Sequence, residues 1–94
     1  HGPIRFVINT RELFINDELA EFTQREVAVL ELLLKRAGKL VGKRLFVEHV
    51  ATWEEEPSEN AIEIVIHRLR RKLEGTQVKI RTIHGFGYLL ENFE

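Results

Sequence analysis

The chain has 94 residues, a formal net charge of −1 and no cysteine. Residues 1–94 are expected to form a single domain with its own core, and disulfide scaffolds, thiolate zinc sites and cysteine nucleophiles are excluded. No apolar run approaches the roughly 18 residues that span a bilayer, and no signal-peptide pattern is present, so we expect a cytoplasmic protein without a membrane partner. Residues 1–3 fit either a remnant of cloning or the end of a linker, and they are set aside.

Three short β-type runs open the chain between Ile4 and Phe22: IRFVI, ELFIN and ELAEF. The turn formers Asn9-Thr10 and Asn16-Asp17 separate these runs. A small N-terminal antiparallel sheet is therefore predicted, with a structural role.

A first helix is predicted after this sheet. Thr23 and Glu26 have the spacing of a capping box, in which each side chain bonds the backbone N–H of the other residue. Gly38 follows as a C-terminal stop. The predicted core face has four apolar members: Val27, Leu30, Leu33 and Leu34. Residues 39–42 are too few for more than a bridge or a stub of strand.

A second helix is predicted from Lys43 to Ala51, with three inward residues: Leu45, Phe46 and Val50. Its start, Gly42-Lys43-Arg44, combines free N–H groups with two cations, which suits a phosphate. An ordinary cationic helix start fits about equally well. The acidic segment Thr52–Pro57 follows, and its proline disfavours helix at the preceding residue.

The stretch from Ser58 to Leu73 has the clearest pattern, with Ser58 as a suitable N-cap and Gly75 as a stop. At about 100° per residue, one stripe is apolar and predicted to face the core: Ile62, Ile66, Leu69 and Leu73, with Val65 at its margin. The opposite face collects polar groups and one branched apolar group: Asn60, Ile64, His67, Arg68 and Arg71, flanked by Glu63 and Arg70. Such groups read base edges and phosphates, although a basic helix face is more often merely solvated.

Charge is segregated along the chain. No Lys or Arg lies between Leu45 and His67, where all the charged residues are acidic: Glu48, Glu54, Glu55, Glu56, Glu59 and Glu63. From Arg68 to Arg81 the only acid is Glu74. No acid lies four residues before any of the helix's cations, which are Arg68, Arg70, Arg71 and Lys72. We expect this face to stay positive and to steer a polyanion.

The chain ends in two β-type runs, VKIRTI and YLLENF, on either side of HGFG. This pattern predicts a β-hairpin. Gly85-Phe86-Gly87 is interpreted as its turn and not as a phosphate loop, because no helix follows.

A sheet, three helices and a C-terminal hairpin follow the order of an α+β winged helix-turn-helix domain. The most specific motifs are Phe22-Thr23-x-x-Glu26, Val41-x-Lys43, Trp53, Ile62-Glu63-Ile64-x-Ile66-x-Arg68-Leu69-Arg70-x-Lys72-Leu73 and Ile80-x-Thr82-Ile83-x-Gly85-x-Gly87-Tyr88. In these motifs the sequence, from Ile4 to Phe93, resembles the DNA-binding effector domain of OmpR/PhoB-type response regulators of bacterial two-component systems.

The resemblance implies a role in sequence-specific binding of double-stranded DNA and control of transcription. The helix at residues 58–74 would lie in the major groove, with four base-contacting residues: Asn60, Ile64, His67 and Arg68. Five residues would contact the DNA backbone: Lys43, Arg44, Arg70, Arg71 and Thr82. The hairpin at residues 78–93 would be the wing, with His84 at the minor groove.

The resemblance also implies partners. The loop at residues 52–57 would contact RNA polymerase through Trp53, Glu54, Glu55 and Glu56. Two copies would bind direct repeats as a head-to-tail dimer, and an N-terminal receiver domain would control this assembly in the full-length protein. No cofactor is implied.

Three positions depart from the family pattern. The wing tip is often Arg in the family but is His84 here. A His that binds phosphate often stands at the position of Val65, and a hydroxyl residue often stands at Gly42. Contacts from these positions are therefore expected to be weaker or missing.

Two other classes of function were considered. An enzyme is not expected, because His49, His67 and His84 have neither the spacing of a metal site nor an acid partner, and no nucleophile motif or cofactor loop is present. A winged helix that binds an acidic protein in place of DNA remains open.

Overall fold

The computed structural model describes residues 4–7, 12–16 and 18–92. Residues 1–3, the turn residues Asn9, Thr10 and Asp17, and Phe93 lie outside the described residues, so the predictions that involve them are not tested.

The first strands form the predicted antiparallel sheet. Its strands are β1 (Ile4–Val7), β2 (Glu12–Ile15) and β3 (Glu18–Ala20), paired in the order β1-β2-β3. Ile4 faces Ile15 across the first pair, and Phe14 faces Leu19 across the second. Asn16 has a φ of 52°, a left-handed conformation that Asn tolerates in turns. The third strand is shorter than the run ELAEF predicted.

Helix α1 (Gln24–Lys35) begins at the predicted capping box, in which Thr23 Oγ1 accepts from Glu26 N–H and Glu26 Oε1 accepts from Thr23 N–H. Four apolar residues of α1 are buried: Val29, Leu30, Leu32 and Leu33. Of the predicted core face, Leu30 and Leu33 are buried, and Val27 and Leu34 are partly buried and pack against the core. Since α1 contacts α2, α3 and the C-terminal sheet, its buried surface is broader than one stripe.

Residues 41–50 form the predicted strand stub and second helix, β4 (Val41–Gly42) and α2 (Lys43–Val50). Phe46 and Val50 are buried as predicted, Val47 is buried in addition, and Leu45 is only partly buried.

Helix α3 (Glu59–Lys72) begins after Ser58, whose Oγ accepts from Ala61 N–H at 3.1 Å. The helix ends before Gly75, which has a φ of 84° and reverses the chain. Both ends are close to those expected from the capping residues.

The C-terminal hairpin consists of β5 (Val78–Ile83) and β6 (Gly87–Asn92). Strand β4 pairs with the other side of β6, so the second sheet has the order β4-β6-β5. Gly87 lies where β6 meets β4, and a Cβ atom on it would be 1.9 Å from Val41 O. Only glycine fits at this crossing.

The three helices pack on each other and on the inner face of the C-terminal sheet around one core. Phe46 of α2 meets Tyr88 of β6 edge-on, with ring centroids 5.8 Å apart. This architecture is the predicted winged helix-turn-helix fold. In the described part of the chain, no helix combines the length and the apolar character needed to cross a membrane.

Candidate nucleic-acid interface

The two faces of α3 are separated as the sequence predicted. The five residues of the apolar stripe are buried: Ile62, Val65, Ile66, Leu69 and Leu73. The five residues of the opposite face are exposed: Asn60, Ile64, His67, Arg68 and Arg71. Ile64 is 45% exposed in the middle of this polar face. An apolar contact group is therefore available beside hydrogen-bonding groups.

The cations of α3 differ in their partners. The side chains of Arg68 and Arg71 have neither a hydrogen bond nor an ion pair with any described residue. Lys72, in contrast, lies 2.6 Å from Glu26 Oε1 and 3.2 Å from Glu21 O through its Nζ. Lys72 has no acidic partner along α3, as predicted, but it is neutralised by Glu26 of α1, which the pattern of α3 alone could not indicate.

Glu26 is the buried partner of this pair, with only 1% of its surface exposed. Burial alone raises the pKa of a carboxyl group, but bonds from Lys72 and from the Thr23 N–H outweigh it, so the pKa of Glu26 lies below its usual value. The ionised carboxylate thus holds the C-terminal turn of α3 against the start of α1.

Arg70 and Thr82, both expected to contact DNA phosphates, are hydrogen-bonded to each other. Arg70 donates from Nε and Nη2 to Ile80 O at 3.1 and 2.9 Å, and from Nη2 to Thr82 Oγ1. Its guanidinium also lies 5.9 Å from the centre of the Tyr88 ring. Burial and the Glu63 carboxylate raise the pKa of Tyr88, and the Arg70 cation only partly opposes them, so the phenol stays neutral.

The start of α2 brings both predicted phosphate ligands to the surface beside acids. Lys43 Nζ lies 3.8 Å from Glu63 Oε1 on α3. Arg44 pairs with Glu48 at 3.5 Å and with Glu56 at 2.9 Å. Pairs this exposed are weak, so a phosphate can replace the carboxylate. Gly42 caps the helix without a side-chain bond, as the departure from the family pattern implied.

The wing turn lies against the start of α2. Lys43 N–H donates to Phe86 O at 3.3 Å, and Phe86 N–H closes the turn on Ile83 O at 3.0 Å. His84 is exposed at this turn, and Phe86 is 66% exposed beside it. Sequence reasoning did not select Phe86, although an aromatic residue between two turn glycines was a visible signal. The turn therefore presents an imidazole and a phenyl ring together.

The loop between α2 and α3 is acidic, exposed and tied at two points. Trp53 is 98% exposed. Glu55 accepts from Arg25 of α1 at 2.5 Å, and Glu56 pairs with Arg44 of α2. Glu54 is exposed without a bond to any described residue. The loop thus has a defined position while Trp53 and Glu54 remain available.

A groove of about 570 Å³ adjoins this loop, between the start of α1 and the end of α2. Apolar residues such as Phe22 and Val50 line it together with Glu31 and His49, whose Oε1 and Nε2 lie 3.1 Å apart. The expectation that His49 has no acid partner was therefore wrong, because Glu31 is on another helix and distant in the sequence. The sequence contained no local signal for it, because its walls are distant in the chain. The described residues contain no group of three acidic or histidine side chains able to hold a metal ion.

Val65 departs from the family pattern in a way that the structure explains. It is 4% exposed and belongs to the core. Its aliphatic side chain has no group that can bind a phosphate.

The chain matches the family model described as "Transcriptional regulatory protein, C terminal" over residues 17–90. It is 40% identical over 90 residues to the transcriptional regulatory protein QseB of Escherichia coli O157:H7, covering 96% of this chain and 40% of QseB. It is 38% identical over 88 residues to the response regulator protein PmrA of Pseudomonas aeruginosa, covering 94% of this chain and 39% of PmrA.

Solved structures show the same fold. The DNA-binding domain of the response regulator AdeR, crystallised in complex with an intercistronic region, superposes with a TM-score of 0.86 and 21% identity. The match covers 98% of this chain and 97% of that domain. The chain spans about two fifths of the length of QseB and PmrA. Taken with the family match, these likenesses mean that the chain belongs to the C-terminal domains of transcriptional regulatory proteins, the non-enzymatic DNA-binding effector domains of OmpR/PhoB-type response regulators.

Proposed function

We propose that this domain binds double-stranded DNA sequence-specifically, as the C-terminal output domain of a bacterial response regulator that controls transcription. The observation that carries the proposal is the exposed face of α3, where Arg68 and Arg71 have no partner among the described residues and Ile64 is exposed between them and Asn60. The DNA-binding domain of the response regulator AdeR, which has the same fold, was crystallised in complex with an intercistronic region. That complex supports DNA binding by the present domain.

Helix α3 occupies the major groove in this proposal. Arg68 makes a bidentate contact to guanine O6 and N7, and Ile64 contacts a thymine methyl group. Asn60 and His67 contribute further base contacts from the same face. A contact with a thymine methyl group accounts for the exposure of Ile64, which would have no role on a face that is merely solvated.

Backbone contacts come from the elements around α3. Arg71 contacts a phosphate directly, and Lys43 and Arg44 exchange their carboxylate partners for phosphates at the start of α2. Thr82 still has its hydroxyl proton to donate to a phosphate while its oxygen accepts from Arg70. Arg70, which the family resemblance also implies as a backbone contact, bonds Ile80 O and Thr82 Oγ1 of the wing and supports these contacts indirectly.

The wing enters the minor groove at its turn, where His84 takes the place of the Arg that is frequent in the family. The imidazole of His84 has fewer N–H donors than the guanidinium of Arg, so minor-groove anchoring is weaker here. The exposed Phe86 adds apolar surface at the same point.

The loop containing Trp53, Glu54, Glu55 and Glu56 contacts RNA polymerase in this proposal. Its support is chemical: an exposed Trp and an acidic surface suit a basic protein partner and not a polyanion.

The full-length protein is proposed to carry a receiver domain N-terminal to this one and to act in the cytoplasm, where bacterial DNA lies. Two copies bind direct repeats as a head-to-tail dimer. Because the contact surfaces in such an arrangement differ, the repeats share one orientation.

A salt titration tests DNA binding against the alternative of an acidic protein partner. Fluorescence anisotropy with a selected duplex and a scrambled duplex of equal length should give a log–log slope of about −0.9 for each neutralised phosphate, with tighter binding to the selected duplex at every salt concentration. Equal and weak binding to both duplexes would contradict a sequence-specific regulator.

A further inference from the structure

The guanidinium of Arg70 connects the recognition helix to the wing. Of its five N–H donors, the one on Nε and both on Nη2 are used, towards Ile80 O and Thr82 Oγ1 on β5. Both acceptors are on the strand that leads into the wing turn. Arg71, the next residue on the same helix, is exposed, and its side chain has no bond to a described residue.

The contacts that begin at Arg70 extend beyond β5 to β6 and α2. Arg70 lies over the Tyr88 ring of β6, and Tyr88 meets Phe46 of α2 edge-on. Tyr88 is also the partner of Val41 where β4 joins the sheet. The C-terminal half of α3, the root of the wing and α2 are therefore linked by one continuous set of contacts.

We propose that Arg70 is a positioning residue for DNA recognition and not itself a principal phosphate ligand. By fixing β5 against α3, it sets the angle between the wing and the recognition helix, so that both reach one stretch of DNA without reorientation. Preorganisation of this kind raises affinity because the ordering cost is met before binding. The inference rests on the proposed placement of α3 and the wing in adjacent grooves.

Two features of Arg70 favour positioning over a direct phosphate contact. The Arg70 guanidinium is bonded to a main-chain carbonyl and a hydroxyl group, so it must break those hydrogen bonds before the same N–H groups can bind a phosphate. The Arg71 guanidinium has no such bonds to break. In addition, Arg70 is only partly exposed, whereas Arg68 and Arg71 are exposed.

The first experiment measures wing orientation without DNA. Amide residual dipolar couplings of the domain in a dilute aligning medium report the orientation of residues 78–92 relative to α3. Arg70→Ala should change the couplings of the hairpin, while the couplings of α1, α2 and α3 should still fit the wild-type structure. The matched control, Arg71→Ala, should leave both sets unchanged. Hairpin couplings in Arg70→Ala that fit the wild-type orientation would overturn the proposal.

The second experiment separates the grooves. On a selected duplex, Arg70→Ala should lose minor-groove protection from hydroxyl radicals while keeping protection of major-groove guanines from methylation. Its affinity should fall by about tenfold, the scale of one lost bond to a charged group. A loss of stability alone would weaken both protections together, and that result would count against the proposal.

A direct phosphate role gives a different pattern. In that case Arg70→Ala would behave like Arg71→Ala, with a salt slope smaller by about 1 and both protections weakened equally. That result would also overturn the proposal.

Milder variants keep the test usable if Arg70→Ala does not fold. Thr82→Val removes one acceptor of the fork, and Arg70→Lys keeps the charge but cannot bond Ile80 O and Thr82 together in the same way. Both should show a partial change in hairpin couplings. The couplings test the contact between Arg70 and β5 without DNA, whereas the protection experiment tests the placement of α3 and the wing in the two grooves. A wrong groove placement is therefore distinguishable from a wrong role for Arg70.

Discussion

The last turns of α3 contain four cations whose side chains have different surroundings. Arg68 and Arg71 face outwards, Arg70 bonds to β5, and Lys72 pairs with Glu26 of α1. Rotation of about 100° per residue turns adjacent side chains towards different neighbours. A basic cluster that looks uniform in sequence thus combines surface charge with two internal connections.

Replacing Arg68 by Ala should cost about 1–3 kcal/mol of specific affinity and relax base selectivity at one position, because a bidentate base contact is lost. Competition between a selected duplex and its single-base variants measures this loss. Unchanged discrimination would refute the base contact.

Arg71→Ala or Lys43→Ala should instead weaken binding to all duplexes and reduce the salt slope by about 1, since each removes a phosphate contact. The same competition and salt titration provide the comparison. A change in base preference in either variant would contradict the assignment.

Lys72→Met should lower the free energy of unfolding by about 1–3 kcal/mol at neutral pH, because it leaves the buried Glu26 carboxylate without its cation. This is below the cost of breaking a fully buried pair, since Lys72 is partly exposed. Urea denaturation measures the change. No loss of stability would show that the pair is not stabilising.

The same pair predicts a pH dependence. The pKa of Glu26 is lower in the folded state than its unfolded value of 4.5, so the unfolded state binds the proton first. The stabilisation is present above that value and is lost as the pH falls through the lowered pKa. Glu26→Gln should remove this part of the acid-side loss in urea titrations. An identical pH profile in wild type and variant would be the contrary result.

Strand β4 links the helices to the wing through a single close crossing. It has two residues, Val41 and Gly42, and they pair with Tyr88 and Gly87. Lys43 N–H then donates to Phe86 O, so α2 begins directly against the wing turn. The position of the proposed phosphate-binding end of α2 therefore depends on this crossing.

Gly87→Ala should destabilise the domain by about 1–3 kcal/mol or more, because a Cβ 1.9 Å from Val41 O forces β4 and β6 apart. Gly42→Ser is the matched control: its Cβ would be 3.8 Å from Phe86 O, and its hydroxyl can cap α2. Thermal unfolding of both variants tests the crossing. Equal stability of Gly87→Ala and wild type would contradict it.

Local patterns predicted the elements well, because their determinants are close in sequence. Thr23 with Glu26 and the capping Ser58 lie within three residues of their partners. The apolar stripe of α3 follows from helical periodicity alone. The element order then sufficed to predict the winged-helix fold.

Contacts between distant residues were not predictable in the same way. Lys72 and Glu26 are 46 positions apart, and Arg70 and Ile80 belong to different elements. Burial of Val29 and Leu32 depends on how many neighbours α1 has, which its own sequence does not specify. The exposed residues of the interface were predictable, whereas the contacts that orient them required the fold.

Across the molecule, basic and acidic surfaces have separate positions. The outward cations of α3 are in its C-terminal half, while the acidic loop precedes its N-terminus and is tied to α1 by Arg25 and Glu55. In the proposed function, this separation would leave the acidic loop accessible to a second protein while α3 binds DNA.

Trp53→Ala combined with Glu54→Gln should lower activated transcription in the full-length protein while leaving DNA affinity within about twofold of wild type, a change of less than 0.5 kcal/mol that is usual for surface sites. These residues are chosen because Glu55 pairs with Arg25 at the start of α1 and Glu56 pairs with Arg44 at the start of α2, so changing Glu55 or Glu56 would also alter the helices. Transcription assays with purified polymerase, alongside anisotropy, test the separation. Parallel loss of both activities would refute it.

Selection of bound sequences from a random duplex pool tests most directly whether α3 reads DNA. The proposed role predicts enrichment of a direct repeat with half-sites one helical turn apart, about 10–10.5 base pairs, and a relaxed preference at one position for Arg68→Ala. Retention of all duplexes without any enriched sequence would contradict it.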